Sequence, residues 1–133
     1  MKLADLFEKK TSKTAWVILF TPNKLILGKR APSTNNPNQW NFFGGHVDDG
    51  ESAVQAAIRE IGEEIKLKVD EGDLKQIAEI GNATYFSMKI DSAGGSRTTD
   101  EISAIKGFKL TELPDNLHSK TQNFFDRLEN LLA

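Results

Sequence analysis

Cysteine is absent from this chain of 133 residues. Its absence excludes disulfides, thiolate nucleophiles and cysteine-held zinc, and removes the usual mark of a secreted scaffold. Histidine is scarce, with two residues, and neither belongs to an H-E-x-x-H zinc helix. No apolar run reaches the length of a bilayer span, and the opening MKLADLFEKK lacks the apolar core of a signal peptide. The expectation is therefore a cytoplasmic protein with no membrane partner. Massed positive charge is missing too: 17 Lys and Arg are spread among 19 Asp and Glu, for a formal net charge of -2. A grip on a nucleic-acid polymer needs a concentrated basic surface, so none is expected. There is also no G-x-x-x-x-G-K-[ST] phosphate loop and no G-x-S-x-G nucleophile turn, and VDDGES lacks the alternating oxygen ligands of an EF-hand loop.

What is present is an ordinary balance of 38% hydrophobic and 27% charged residues, enough for one domain over residues 1–133 with a real core. LADLF, near the start, reads as a short amphipathic helix. TAWVILF, residues 14–20, is an apolar, β-branched run expected as a strand buried on both faces. TPN turns the chain into a hairpin partner, KLILGKR. APSTNNPNQ reads as a loop, WNFFGGHV as a short strand running into glycines, and LKQIAEI, ATYFSMKI and ISAIKGFKL as further strands. Near the end, Leu117, Phe124, Phe125, Leu128 and Leu132 form one helical stripe. The order of elements predicts an α/β fold with a mixed sheet between helices.

The informative stretch is GGHVDDGESAVQAAIREIGEEIKL, residues 44–67. Ser52 and Gln55 make a capping box that starts a helix at about Ala53. Val54, Ala57, Ile58, Ile61 and Ile65 gather on one side of it, and Glu60, Glu63 and Glu64 on another that is expected to face outward. Like charges at these spacings cost a few tenths of a kcal/mol per pair. A solvated acidic face, with Arg59 paired to Glu63 and Lys68 to Glu64, is the plain explanation. Three features favour a metal instead. Gly44 and Gly45 let backbone carbonyls approach a ligand, Glu51 adds a carboxylate where the loop enters the helix, and all the donors are hard oxygens suited to Mg²⁺, with Mn²⁺ as a substitute.

From Gly45 the spacing reads G-x5-E-x7-R-E-U-x-E-E, with Gly45, Glu51, Arg59, Glu60, Ile61, Glu63 and Glu64 in register. This resembles the Nudix box of hydrolases acting on a nucleoside diphosphate linked to another group, in particular small MutT-like members. The resemblance implies a Nudix-type α/β/α sandwich. It also implies a metal site of Glu60, Glu63, Glu64 and the Gly45 carbonyl, with Arg59 orienting Glu51 or a ligand carboxylate. Two positions depart from the pattern: Lys66 stands where the box has glycine, and Phe43 where proline is frequent. Because a non-glycine residue is strained at positive φ, Lys66 is expected to continue the helix or end it without a left-handed residue.

The resemblance further implies an acidic residue in the loop before a late strand. TTDEIS offers Glu101 as general base or added metal ligand, with Asp100 second and Glu64 as the competitor. Arg30, with Lys29 beside it, and His46 are candidates for phosphate, while His118 reads as surface. Trp40, beside Phe42, is the candidate for holding a base, together with loops around Asn35 and Arg97. Small members of the family imply a nucleoside triphosphate substrate, split to monophosphate and pyrophosphate. ADP-ribose, nucleotide sugars and dinucleoside polyphosphates are the alternatives. A nucleotide sensor without turnover is a further one, disfavoured by the complete carboxylate set. The sequence carries no marker of oligomeric state, and a homodimer stays open.

Overall fold

The computed structural model describes residues 12–132. The helix expected at LADLF lies outside the described residues, as do the side chains of Leu128 and Leu132. The described chain forms strands β1 (Thr14–Phe20), β2 (Leu25–Arg30), β3 (Trp40–Asn41) and β4 (Phe43–His46), then helix α1 (Ala53–Ile65). Strands β5 (Lys75–Ile80), β6 (Ala83–Lys89) and β7 (Ile102–Phe108) follow, and helix α2 (Ser119–Leu132) comes last.

β1 is the central strand because its alternate residues are apolar on both faces. It pairs in parallel with β6 from Thr14↔Ala83 to Phe20↔Lys89. Its other edge is shared antiparallel between β4, from Thr14↔His46 to Val17↔Phe43, and β2, at Leu19↔Ile26 and Phe20↔Leu25. β3 and β7 add to β2, and β5 adds to β6, all antiparallel, so the seven-stranded sheet is mixed.

Period-two alternation sorts β1 into two cores. Ala15, Val17 and Leu19 pack with Phe43, Phe86 and the α1 residues Ala56, Ala57, Ile61 and Ile65. Trp16 and Ile18 pack on the opposite face with Leu27, Phe42, Tyr85 and Phe108, covered by Phe124 and Phe125 of α2. A helix on each face of the sheet is the expected α/β/α sandwich. α2 is also pinned by polar contacts. Thr121 Oγ1 donates to Asn41 Oδ1 at 2.5 Å and accepts from the Phe42 amide at 2.9 Å, and Tyr85 Oη donates to the Lys120 carbonyl at 2.9 Å. Among the described residues no helix is long and apolar enough to cross a membrane.

α1 starts as the sequence predicts. Ser52 Oγ accepts the Gln55 amide at 3.2 Å while Gln55 Oε1 accepts the Ser52 amide at 2.9 Å. Its end corrects the expectation for Lys66, which caps the helix in the left-handed region at φ 58 and ψ 26, its amide bonded to the Gly62 carbonyl. The reason lies in the next turn of chain, where the backbone leaves the helix to bring Leu67 and Val69 back onto the first core. That reversal needs a left-handed residue whether or not glycine supplies it.

Candidate active site

The loop and strand before α1, the helix itself and the loop before β7 meet at a cleft of about 850 Å³. Gly44, Gly45, Glu60, Glu63, Glu64 and Glu101 line one part of it; Trp16, Arg30, Asn35, Asn36, His118 and Lys120 line another. The two glycines are required by close approach, and Gly44 also by its backbone, at φ 154. A Cβ on Gly44 would run into the Ala15 carbonyl across the β1–β4 ladder, and one on Gly45 would meet the Glu60 carboxylate at 2.9 Å. β4 can therefore lie directly under the helix carboxylates only without side chains there.

The three helix glutamates do not share one environment. Glu63 is exposed and Glu60 half-buried, whereas Glu64 is only 3% exposed, so the expected outward-facing triad is wrong for Glu64. Its position beside Ile61 and Ile65 on the helix surface draws it under the sheet edge, where Oε1 accepts the Gly44 amide at 2.6 Å. No ion pair with Lys68 is formed. Burial, then the neighbouring Glu60 charge, pushes the Glu64 carboxyl well above its ordinary value. Burial also raises Glu60, against the pull of Arg59.

Arg59 is the hub of the acidic cluster. Its Nε and Nη2 donate to the two Glu51 oxygens at 2.9 and 3.0 Å, a bidentate pair. Nη1 reaches Glu60 Oε1 at 3.0 Å and Glu63 Oε2 at 3.4 Å, and Nη2 also donates to the His46 carbonyl at 3.1 Å. These bonds, that to Glu51 foremost, hold the guanidinium above its ordinary value and lower Glu51. Arg59 thus fixes the loop at Glu51 and His46 against the helix.

Glu101 arrives from the opposite wall. The Thr99 amide donates to the Ile102 carbonyl at 3.0 Å, closing a turn around Asp100 and Glu101, and the Ala31 amide donates to the Glu101 carbonyl at 2.8 Å. The result is five carboxylates, Glu60, Glu63, Glu64 and Glu101 with Asp48 of the loop before α1, on one cleft. Among the described residues no three His, Asp or Glu side chains are arranged as a finished metal cage. Glu60 and Glu63 lean on Arg59 instead. The donor chemistry fits a hard divalent cation: only oxygens, an excess of negative charge, and a buried carboxyl whose ionised form has no cationic partner in contact.

At the far part of the cleft, Arg30 Nε donates to the Asn35 carbonyl at 2.6 Å, which shapes the loop after β2. Asn36 sits at φ 56, a region asparagine tolerates, and its Nδ2 lies 3.3 Å from His118 Nε2. His118 Nδ1 accepts the Lys120 amide at 3.2 Å. Burial, then the charges of Arg30 and Lys120, lowers its pKa. His118 is therefore a half-buried cleft residue, not the surface residue expected.

Trp40 is not in the cleft. It packs edge-to-face on Phe108 at 4.9 Å within the second core, and its backbone carbonyl accepts the His118 amide at 2.8 Å. Phe42 is buried in the same core, and Arg97 is exposed and outside the lining. The tryptophan that borders the cleft is Trp16, tilted against the His118 ring at 6.2 Å. Trp16, Asn36, His118 and Lys120 carried no sequence signal, because each sits in an apolar run, a polar loop or a helix start where such residues are commonplace.

Comparison with known proteins follows the same lines. The family model described as the NUDIX domain matches residues 10–128. An oxidized purine nucleoside triphosphate hydrolase from Mus musculus is 30% identical over 106 residues, covering 74% of this chain and 66% of that protein. A protein of the same name from Danio rerio is 37% identical over 76 residues, covering 56% of this chain. The chain thus spans just under two thirds of the mouse relative and 45% of the zebrafish one. Among solved structures, the MutT protein from Methanosarcina mazei Go1 superposes with a TM-score of 0.70 at 19% identity, covering 90% of this chain and 96% of that one.

Proposed function

The chain belongs to the NUDIX domain family, and from that premise we propose that it is a Mg²⁺-dependent nucleoside triphosphate pyrophosphohydrolase, releasing a monophosphate and pyrophosphate. The observation that carries this reading is the single cleft, which joins the carboxylates of Asp48, Glu60, Glu63, Glu64 and Glu101 to Arg30, Asn36 and His118. The carboxylates suit a metal-held phosphate chain with Arg30, whose charge reaches Glu64, to meet it, and Asn36 and His118 suit a base and sugar. The names of the mouse and zebrafish relatives support the triphosphate class.

In this reading Glu60, Glu63 and Glu64, with the Gly45 carbonyl, hold Mg²⁺, or Mn²⁺ in its place. When bound, the ion neutralises phosphate oxygens and makes phosphorus more electrophilic. The remaining work belongs to the chain. Arg30 lies on the cleft wall to pair with a phosphate oxygen, and His46 borders the acidic part, where its ring can donate to another. Arg59 holds Glu51 and the Glu60–Glu63 face in register. Water attacks phosphorus, the bridging P–O bond breaks, and the proton passes to the Glu101 carboxylate, with Asp100 and Glu64 as rivals for that role. The base lies beside His118 and Asn36, replacing the expected seat at Trp40.

Product identity tests the reading. Purified protein with Mg²⁺ should give pyrophosphate and monophosphate from triphosphates at a higher kcat/KM than for any nucleoside diphosphate derivative. A preference for ADP-ribose, a nucleotide sugar or a dinucleoside polyphosphate would replace the substrate and spare the mechanism. Tight nucleotide binding without turnover would make the protein a sensor.

A further inference from the structure

We infer that Thr99 is the positioning residue for Glu101, its hydroxyl docking the loop that carries Glu101 onto the backbone of α1 at Glu64. The observations are three bonds at one place. Thr99 Oγ1 donates to the Glu64 carbonyl at 2.6 Å. The Glu101 amide approaches Thr99 Oγ1 at 3.4 Å, and the Arg97 amide donates to the Ile65 carbonyl at 2.7 Å.

A helix end leaves its last carbonyls without intrahelical partners. Here Lys66 satisfies Gly62, while the two carbonyls at Glu64 and Ile65 are satisfied by the loop before β7. The helix cap and the placement of Glu101 are therefore one structure. The side chain of Glu64 enters the cleft from the same residue whose carbonyl Thr99 holds, so the hydroxyl links Glu64 and Glu101 through the backbone. A threonine suits the task because its oxygen donates to Glu64 and accepts from Glu101 at once. Valine matches its shape and can do neither.

This inference rests on the reading of Glu101 as the group that takes the proton from water, and a double-mutant cycle separates the two. The variants Thr99→Val, Thr99→Ser, Glu101→Gln and the double Thr99→Val/Glu101→Gln are assayed with Mg²⁺ and dGTP, alongside amide exchange of residues 97–102. In Thr99→Val, kcat should fall by about ten- to a hundredfold with KM nearly unchanged, as for a misplaced group. Exchange at Arg97 and Thr99 should quicken, Thr99→Ser should restore both, and the double variant should be no slower than Glu101→Gln. Losses that multiply, or a normal kcat in Thr99→Val beside an impaired Glu101→Gln, would overturn the positioning role alone. A normal kcat in Glu101→Gln would overturn both readings. Should dGTP not be turned over, unchanged amide exchange in Thr99→Val would by itself refute the docking.

Discussion

Lys66 holds a conformation that its side chain opposes. A non-glycine residue in the left-handed region pays roughly 1 kcal/mol relative to glycine, partly offset by the freedom glycine gains in the unfolded chain. Lys66→Gly should therefore stabilise the protein by about 0.5 to 1 kcal/mol, read as a rise in the urea midpoint with unchanged slope. A loss of stability would mean that the Lys66 side chain makes compensating contacts. Glu64 shows the opposite relation, a residue comfortable in shape and costly in charge. Glu64→Gln keeps an oxygen for the Gly44 amide and removes the buried charge. The metal-free variant should melt no lower than the parent at pH 8, while turnover falls by about two orders of magnitude or more. A variant that retains activity would remove Glu64 from the site.

At the scale of elements, strands and helix starts were legible because their signals are local. The capping box places the start of α1 at Ala53, and the alternation of Ala15, Val17 and Leu19 against Trp16 and Ile18 needs no partner to be read. Ser52→Ala should cost about 1 kcal/mol in thermal or urea unfolding, since one orphan amide of α1 loses its acceptor. The end of α1 was not legible in the same way. Its left-handed residue is imposed by where Leu67 and Val69 must pack, and its carbonyls are capped by Thr99 and Arg97 from far along the chain. The outward face assigned to Glu64 failed for a related reason. Helical spacing sorts residues around an axis, whereas the width of the buried arc is set by the sheet, which here extends past Ile61 to reach Glu64.

At the scale of the whole molecule, the acidic end of the cleft could be read because most of its residues are nearly contiguous, from Gly45 to Glu64. The far end could not, since Trp16, Asn36 and His118 meet only after β1, the loop following β2 and the segment before α2 have been assembled. That assembly leaves the metal-free cleft with carboxyls held above the ordinary value of 4.5 by burial and mutual repulsion, Glu64 strongly and Glu60 less so. A raised folded-state value means that the folded protein binds protons more tightly than the unfolded chain. This contribution to stability is complete below the ordinary value and is lost as pH rises through the folded values. In EDTA the melting temperature should carry that decline as pH rises above the ordinary carboxylate range, and it should be smaller in Glu64→Gln. A divalent cation competes with the same protons, so Mg²⁺ or Mn²⁺ should raise the melting temperature little at pH 5 and progressively more toward pH 8. Differential scanning fluorimetry across that range, with and without 10 Kd of metal (about 1.4 kcal/mol of linkage), measures both slopes at once. A metal-induced shift that is independent of pH, or one that survives intact in Glu64→Gln, would place the cation away from the buried carboxylate.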